Sequence, residues 1–343
     1  MATMATGLSM GQQVHEEQLF VALSRELPDG WGLTGRRIGS LRSPFEDARR
    51  MPLRAVGHLP LPAQRLVGRI AYGPSDLVHR MDLRIPPGPK AEVLTVHDLG
   101  SMRFPDEGVL PVRARQSVHH AQLIVTVSEF SAEEIERAFG VARPVVIPNG
   151  VDPRLHDYPA ATDAELAALG TGPRFVLHLG GATERKNLAG LAGAWALLAA
   201  ERPDLHLVLC GPSDLRRTAL FEGLPRCRMP GHVDVGTRVG LMRRAAVVVV
   251  PSVYEGFGLP AIEAMALGTP VVAVRRGALP EVCGEHASLV EPDPGAIAEG
   301  LAAALDDPGN TASITRARAH AAQFTWERAA RAHLALYRAV LDE

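Results

Sequence analysis

Short apolar runs that end on polar or glycine residues recur along this chain, separated by stretches whose apolar residues repeat every three or four positions. In the first half, Ala91–Val96 runs into His97-Asp98, Leu123–Val127 into Ser128, and Pro144–Ile147 into Pro148-Asn149-Gly150. Apolar runs of this length, bounded by turn residues, predict buried strands. Ser131-Ala132-Glu133-Glu134 predicts a capping box opening a helix that stops at Gly140. The second half predicts strands at Phe175–Leu179, Leu205–Leu209, Val247–Val250, Val271–Val274 and Ser288–Val290. Leu188, Leu191, Trp195 and Leu198 mark one face of a helix, Ile297, Leu301 and Leu305 another. Trp326, Ala330, His333, Leu334, Tyr337 and Leu341 mark the last. Strands alternating with helices predict an α/β chain with parallel sheets. The punctuation Pro148-Asn-Gly-Val-Asp-Pro153 divides it into domains 1–150 and 151–325, with a closing helix over 326–343.

Length agrees with that division, since 343 residues, 46% of them hydrophobic, suit two domains of roughly 150 residues each. The 36 basic and 38 acidic side chains nearly cancel, which gives no support to a nucleic-acid partner. Arg42, Arg49, Arg50, Arg54, Arg65 and Arg69 make the early part locally basic. The pattern reads as a solvated arginine-rich surface, with an acidic acceptor or a weak peripheral membrane contact as the alternatives. Cys210, Cys227 and Cys283 are an odd number without close pairing, so they predict buried thiols in a reducing compartment rather than a disulfide framework or a zinc site. No apolar run approaches the roughly 18 residues of a membrane span. The start lacks a basic stretch followed by an apolar core, and the chain reads as cytoplasmic.

The chemistry concentrates in the second half. Glu255 and Glu263 stand on either side of the turn Gly256-Phe257-Gly258-Leu259, between the strand ending at Val250 and a helix that Pro260 can open. Backbone N–H groups at such a helix start attract anions, and carboxylates beside them accept hydrogen bonds from sugar and ribose hydroxyls. A second loop, Gly180-Gly181-Ala-Thr-Glu-Arg185-Lys186-Asn187, also leads from a strand into a helix. Cations at a helix start oppose its dipole, so Arg185 and Lys186 point to bound phosphate. In the first half, His97 and Asp98 end a strand, the imidazole suited to a sugar hydroxyl and the carboxylate to orienting it or the acceptor. His79 and Ser128, at other strand ends, are further acceptor candidates. No paired-carboxylate metal site is found.

The stretch Glu255–Glu263 resembles the signature of retaining glycosyltransferase family 4, whose fold is GT-B. The resemblance runs from about Ala91 to the C-terminus and includes Gly180–Asn187, the linker-like Pro148–Asp152 and the His97-Asp98 pair. It implies two Rossmann-like domains facing an interdomain cleft, with the last helix crossing back to the N-terminal domain. It further implies that Glu255 contacts the donor sugar, Glu263 the nucleotide ribose, and Arg185 and Lys186 the diphosphate, while His232 and Val233 lie near the base. The family needs no cofactor and generally no metal. Thr95–Leu99 through Val151 resembles mannosyltransferase-like members, favouring GDP-mannose over UDP, dTDP or ADP sugars as donor. Glycans, lipids and small-molecule glycosides are the acceptor classes. A sugar phosphorylase or epimerase of the same fold, or a silent nucleotide-sugar-binding subunit, are the alternatives. The departure is at the start, where Met1–Thr6 is a meagre strand and Gly7-Leu-Ser-Met-Gly11 replaces the family's glycine-rich loop, with Gly11 as its working glycine.

Overall fold

The computed structural model describes residues 1–5, 11–307 and 311–342. The chain forms two compact units, one of residues 1–150 together with the residues from Thr325 onward, the other Val151–Phe324. The first unit is built on a seven-stranded sheet whose neighbours all pair in parallel. Its strands are β1 (Ala2–Met4), β2 (Arg36–Ser40), β3 (Arg49–Met51), β4 (Leu77–Arg80), β5 (Ala91–Thr95), β6 (Leu123–Thr126) and β7 (Val145–Val146). Their order, β3-β2-β1-β4-β5-β6-β7, reverses direction between β1 and β4. Such a reversal opens a crevice outside the carboxyl ends of the strands, where doubly wound sheets bind ligands.

Both faces of this sheet are covered, and the charged residues that β4 and β5 bring inside, Arg80 and Glu92, pair with each other at 2.7 Å. Successive side chains point to opposite faces. Val93 and Val125 join Leu19, Leu23, Trp326 and Ala330 on one side, whereas Leu94 and Ile124 join Ile135 and Phe139 on the other. The final helix, Trp326–Asp342, packs against the helix Gly11–Glu26 and against β5 within this unit. Val340 is buried in that helix and Leu341, expected on its inner face, is 39% exposed.

The second unit carries a six-stranded parallel sheet of β8 (Phe175–Leu179), β9 (His206–Cys210), β10 (Cys227–Gly231), β11 (Val247–Val250), β12 (Val271–Val274) and β13 (Ser288–Val290). The order β10-β9-β8-β11-β12-β13 reverses between β8 and β11. The helices Leu188–Glu201 and Pro294–Asp306 cover one face, burying Leu191, Trp195, Ile297 and Leu301 against Val176, Leu207 and Val249. The indole of Trp195 donates to the Pro225 carbonyl at 2.8 Å, so the largest core side chain leaves no polar atom unpaired.

Several local expectations need correction. The helix expected from Ser131 begins at Glu129, because the Ser128 hydroxyl accepts from the Ser131 N–H at 3.1 Å and is itself the cap. Gly140 ends it as expected, at φ 69°. β9 runs one residue later than the apolar run. β2 and β3 were not predicted, since Arg36-Arg37-Ile38-Gly39-Ser40 and Arg49-Arg50-Met51 carry single apolar residues. Register pairs Ile38 with Met4 and with Arg49, so neighbours rather than composition hold these strands. At the start, β1 is as short as expected, Gly7 to Met10 lie outside the described residues, and Gly11 is the exposed first residue of its helix.

Gly150 closes the first unit. A Cβ there would collide with the backbone nitrogen of Trp326, so the chain can leave and re-enter the unit side by side only with glycine at this position. Gly150→Ala should therefore lower the urea midpoint, with a loss of roughly 1–3 kcal/mol as expected for overpacking. An unchanged midpoint would show that this approach is not close.

Candidate active site

The loop after β8 sets the geometry of the second unit. Glu184–Lys186 makes a single 3-10 turn, and Asn187 follows in the left-handed conformation at φ 49°, which asparagine tolerates better than most residues. Its side-chain oxygen accepts from the Gly190 N–H at 3.2 Å and its amide donates to the Pro292 carbonyl at 2.9 Å. This start of the helix Leu188–Glu201 presents Arg185 and Lys186 to the end of β11. The Val253 N–H donates to the Arg185 carbonyl at 2.9 Å and joins the two loops.

Glu255 is the centre of the arrangement. Lys186 Nζ donates to its Oε1 at 2.6 Å, and the Arg185 guanidinium donates to its Oε2 at 3.0 Å and to the Tyr254 carbonyl at 3.3 Å. Burial pushes the carboxyl upward, but the charges of Lys186 and Arg185, with hydrogen bonds from Lys186 and Ser252, outweigh it and hold it at about 2. Two cations thus concentrate positive charge around one carboxylate. The next element adds to it: the helix Leu259–Leu267 has no side-chain cap, and its N-cap Gly258 sits at φ 103°. A Cβ on Gly258 would meet Leu279 at 2.7 Å, so glycine is required on both counts. The N-terminus without a side-chain cap carries the positive end of the helix dipole.

Glu263, one turn further along that helix, is buried and ion-paired with Arg238. Arg238 stands on the helix Val235–Arg244, whose cap Asp234 accepts from the Thr237 N–H at 3.0 Å. His232 is exposed and Val233 half-buried in the loop ahead of that cap. Gly180 and Gly181 lie directly after β8. The Gly180 carbonyl accepts from Arg217, which is buried and also donates to the Pro212 carbonyl at 3.1 Å. Gly211 permits this approach, because a Cβ there would overlap the same carbonyl. Beneath the loop, burial lowers His178 to about 3, with Arg217 and Lys186 adding to the shift, so the imidazole is neutral. Arg217 and Arg238 were not found from the sequence, where each is an ordinary helical arginine.

In the first unit, His97 follows β5 and its Nε2 has no hydrogen-bond partner among the described residues. Burial lowers it to about 4, against the attraction of Asp82, so it stays neutral well below pH 7. Its ring meets that of His15 edge-on at 4.5 Å, and His15 Nδ1 lies 2.6 Å from the Asn149 side-chain oxygen. Asp98 accepts from the Gly100 N–H at 2.9 Å, a local turn bond. Glu16, unanticipated by the sequence pattern, is pushed up to about 8 by burial, with Asp82 raising it further and a 3.1 Å hydrogen bond from Gln12 lowering it. These groups surround the switch point between β1 and β4.

Two acceptor candidates are corrected. His79 is buried with both ring nitrogens engaged, by the Tyr337 hydroxyl at 2.5 Å and by Thr95 Oγ1 at 2.7 Å, so no atom is left for a ligand. Ser128 is fully buried and spent as the helix cap described above. Among the described residues no group of three or more His, Cys, Asp and Glu is arranged to hold a metal ion, and no helix is long and apolar enough to cross a membrane. The three cysteines are free, and burial pushes each thiol up to about 12.

Residues 163–322 match the family described as glycosyl transferases group 1, and residues 21–155 match Glycosyltransferase Family 4. Among curated proteins, the chain is 29% identical to the O-antigen chain mannosyltransferase B of Escherichia coli, over 93% of this chain and 90% of that protein. Among solved structures, it resembles a sucrose-phosphate synthase from Thermosynechococcus elongatus at 25% identity and a TM-score of 0.74, covering 99% and 98% of the two chains. It also resembles HepE of Anabaena, solved in complex with UDP and glucose, at 19% identity and a TM-score of 0.75, with 99% of each chain covered. Two parallel-sheet Rossmann-like domains with these neighbours define a GT-B glycosyltransferase fold. Together, the two family matches and the mannosyltransferase relative support a family 4-type glycosyltransferase.

The position of Glu16 generates a prediction with a definite sign. A carboxyl raised in the folded state adds stability that is complete below its unfolded value of 4.5 and is lost as pH rises through about 8. Glu16→Gln removes that loss. The urea midpoint of the variant, compared with wild type, should therefore improve progressively between pH 4.5 and 8.5, a constant difference being the contrary result.

Proposed function

We propose that this glycosyltransferase moves a sugar, with retained anomeric configuration, from a nucleotide-diphosphate sugar to an acceptor hydroxyl. The observation that carries the reading is the Glu255 carboxylate shared between Lys186 and Arg185 beside an uncapped helix N-terminus. An arriving diphosphate offers both cations stronger partners, since a guanidinium can bind two phosphate oxygens and an ammonium concentrates its charge on one. Glu255 then turns to the hydroxyls of the donor sugar, and Glu263, held by Arg238, accepts from the ribose. The bond between the sugar C1 and the diphosphate oxygen breaks while C1 bonds to the acceptor oxygen on the same face. The acceptor proton passes to the departing phosphate. Arg185, Lys186 and the N–H groups of Gly256–Leu259 stabilise the charge that develops there. His97, neutral at physiological pH, serves as a hydroxyl ligand rather than an ion pair.

GDP-mannose is the donor favoured, on the strength of the His97-Asp98 stretch and of a mannosyltransferase relative covered along most of its length. The acceptor is a hydroxyl of a glycan, a lipid or a small-molecule glycoside.

Calorimetry with nucleoside diphosphates tests the assignment. Glu255 competes with phosphate for Lys186 and Arg185, so Glu255→Gln should bind free diphosphate at least as tightly as wild type while transfer falls roughly a hundredfold. Glu263→Gln should weaken diphosphate binding instead. GDP should bind more tightly than UDP, dTDP or ADP. If the two glutamine variants show reversed effects, the roles given to the carboxylates are wrong.

A further inference from the structure

A surface of the first unit, apart from the residues given to sugar transfer, combines two properties that seldom occur together. Between Asp47 and Asp76 the chain contains no acidic residue, yet it carries Arg49, Arg50, Arg54, Arg65 and Arg69. The same stretch forms β3 and the helices Leu53–His58 and Leu61–Tyr72, and the second helix exposes large apolar side chains. Leu66 is 61% and Ile70 65% exposed, one turn apart, and Leu59 is 36% exposed at the start of the helix.

The inner side of this helix is fixed. Leu61, Gln64, Gly68, Ala71 and Tyr72 are buried. A Cβ on Gly68 would collide with the Pro87 carbonyl, and the Tyr72 hydroxyl donates to the Pro86 carbonyl. Gln64 Nε2 donates to the Leu59 carbonyl at 2.8 Å, which holds Leu59 near the first turn of the helix. Arg49 donates to the Ala71 carbonyl at 2.8 Å and to that of Ile70, which places a cation beside the outer apolar residues. Leu66 and Ile70 therefore cannot turn inward to a vacant place in the core, and Arg69 on the same helix and Arg54 on the helix before it are exposed as well.

We propose that this face docks on an anionic lipid bilayer, with Leu59, Leu66 and Ile70 at the boundary of headgroups and acyl chains and the arginines against lipid phosphates. Exposed apolar side chains supply the burial, and a stretch with five arginines and no carboxylate of its own supplies attraction to the negative leaflet surface. Charge separates this face from a second exposed apolar stretch among the described residues of the unit. Met102, Val109 and Val112 are 52%, 87% and 76% exposed, but Asp106 and Glu107 lie among them, where an anionic surface would repel them.

Vesicle co-sedimentation of the full chain tests the proposal, using phosphatidylcholine alone and phosphatidylcholine mixed with phosphatidylglycerol. Binding is expected to the mixed vesicles only and should weaken with added salt. Arg54→Gln/Arg69→Gln should reduce partitioning about 25-fold, at roughly fivefold for each arginine beside an anionic surface. Leu66→Ser/Ile70→Ser should reduce it roughly tenfold or more, given about 0.8 kcal/mol per buried CH₂. All four side chains are outside the core and outside the residues assigned to transfer, so thermal midpoints and diphosphate calorimetry should match wild type, which separates failure here from failure of the transfer reading. Equal binding to neutral vesicles, no binding to anionic ones, or variants indistinguishable from wild type would overturn the proposal. Self-association abolished by Leu66→Ser/Ile70→Ser, without vesicle binding, would overturn it by assigning the face to a second copy of the chain.

Discussion

The second unit is organised around a buried carboxylate that needs two cations. Removing Glu255 from water costs several kcal/mol unless close opposite charges and hydrogen bonds compensate. Lys186 at 2.6 Å and Arg185 at 3.0 Å supply that compensation and keep the group ionised. The same contacts tie the loop after β8 to the loop after β11, the two strands on either side of the switch point. Charge pairing thus fixes where the two cations stand. A pair of this kind adds little net stability, because desolvation cancels most of the attraction. Under the proposed function, its usefulness lies in an exchangeable partner.

Glycine and polar backbone contacts hold that pairing in register. Gly211 lets the Gly180 carbonyl approach, Arg217 clamps it, and Asn187 turns the chain into the helix Leu188–Glu201. Gly258 brings the second loop down onto Leu279 and leaves its helix without a side-chain cap. The central strands of the parallel sheet beneath, β8, β11 and β12, are buried along their whole length, and the polar side chain among them, His178, is held neutral. Substrate specificity can therefore rest on a few charged side chains mounted on a stiff support. The first unit follows the same plan with different chemistry, placing neutral His97 and a raised Glu16 around its own switch point.

What the sequence made legible follows from what each element depends on. β8, β11, β12 and β13 lie where apolar runs placed them, the first three because strands inside a covered sheet are buried along their whole length. β2, β3 and β10 escaped notice because they lie at or near sheet edges and owe their position to neighbours, and β10 also shifts register between Arg228 and Gly231. The loop Gly180–Asn187 and the stretch Glu255–Glu263 were visible because glycine, cation and carboxylate spacing is local. That Glu255 binds Arg185 and Lys186, 70 and 69 residues away in sequence, was not visible, nor was the link from Glu263 to Arg238. His79 shows the reverse case. A histidine at a strand end looked like a ligand, but tertiary packing gave both of its nitrogens to Tyr337 and Thr95.

The central claim is that Glu255 holds in reserve the cations a diphosphate will take. A crystal structure with a bound nucleoside diphosphate tests it most directly. The account predicts Lys186 Nζ and the Arg185 guanidinium within hydrogen-bond distance of phosphate oxygens, with the present 2.6 Å contact between Lys186 and Glu255 broken or lengthened. A diphosphate bound elsewhere, with both ion pairs of Glu255 intact, would contradict it.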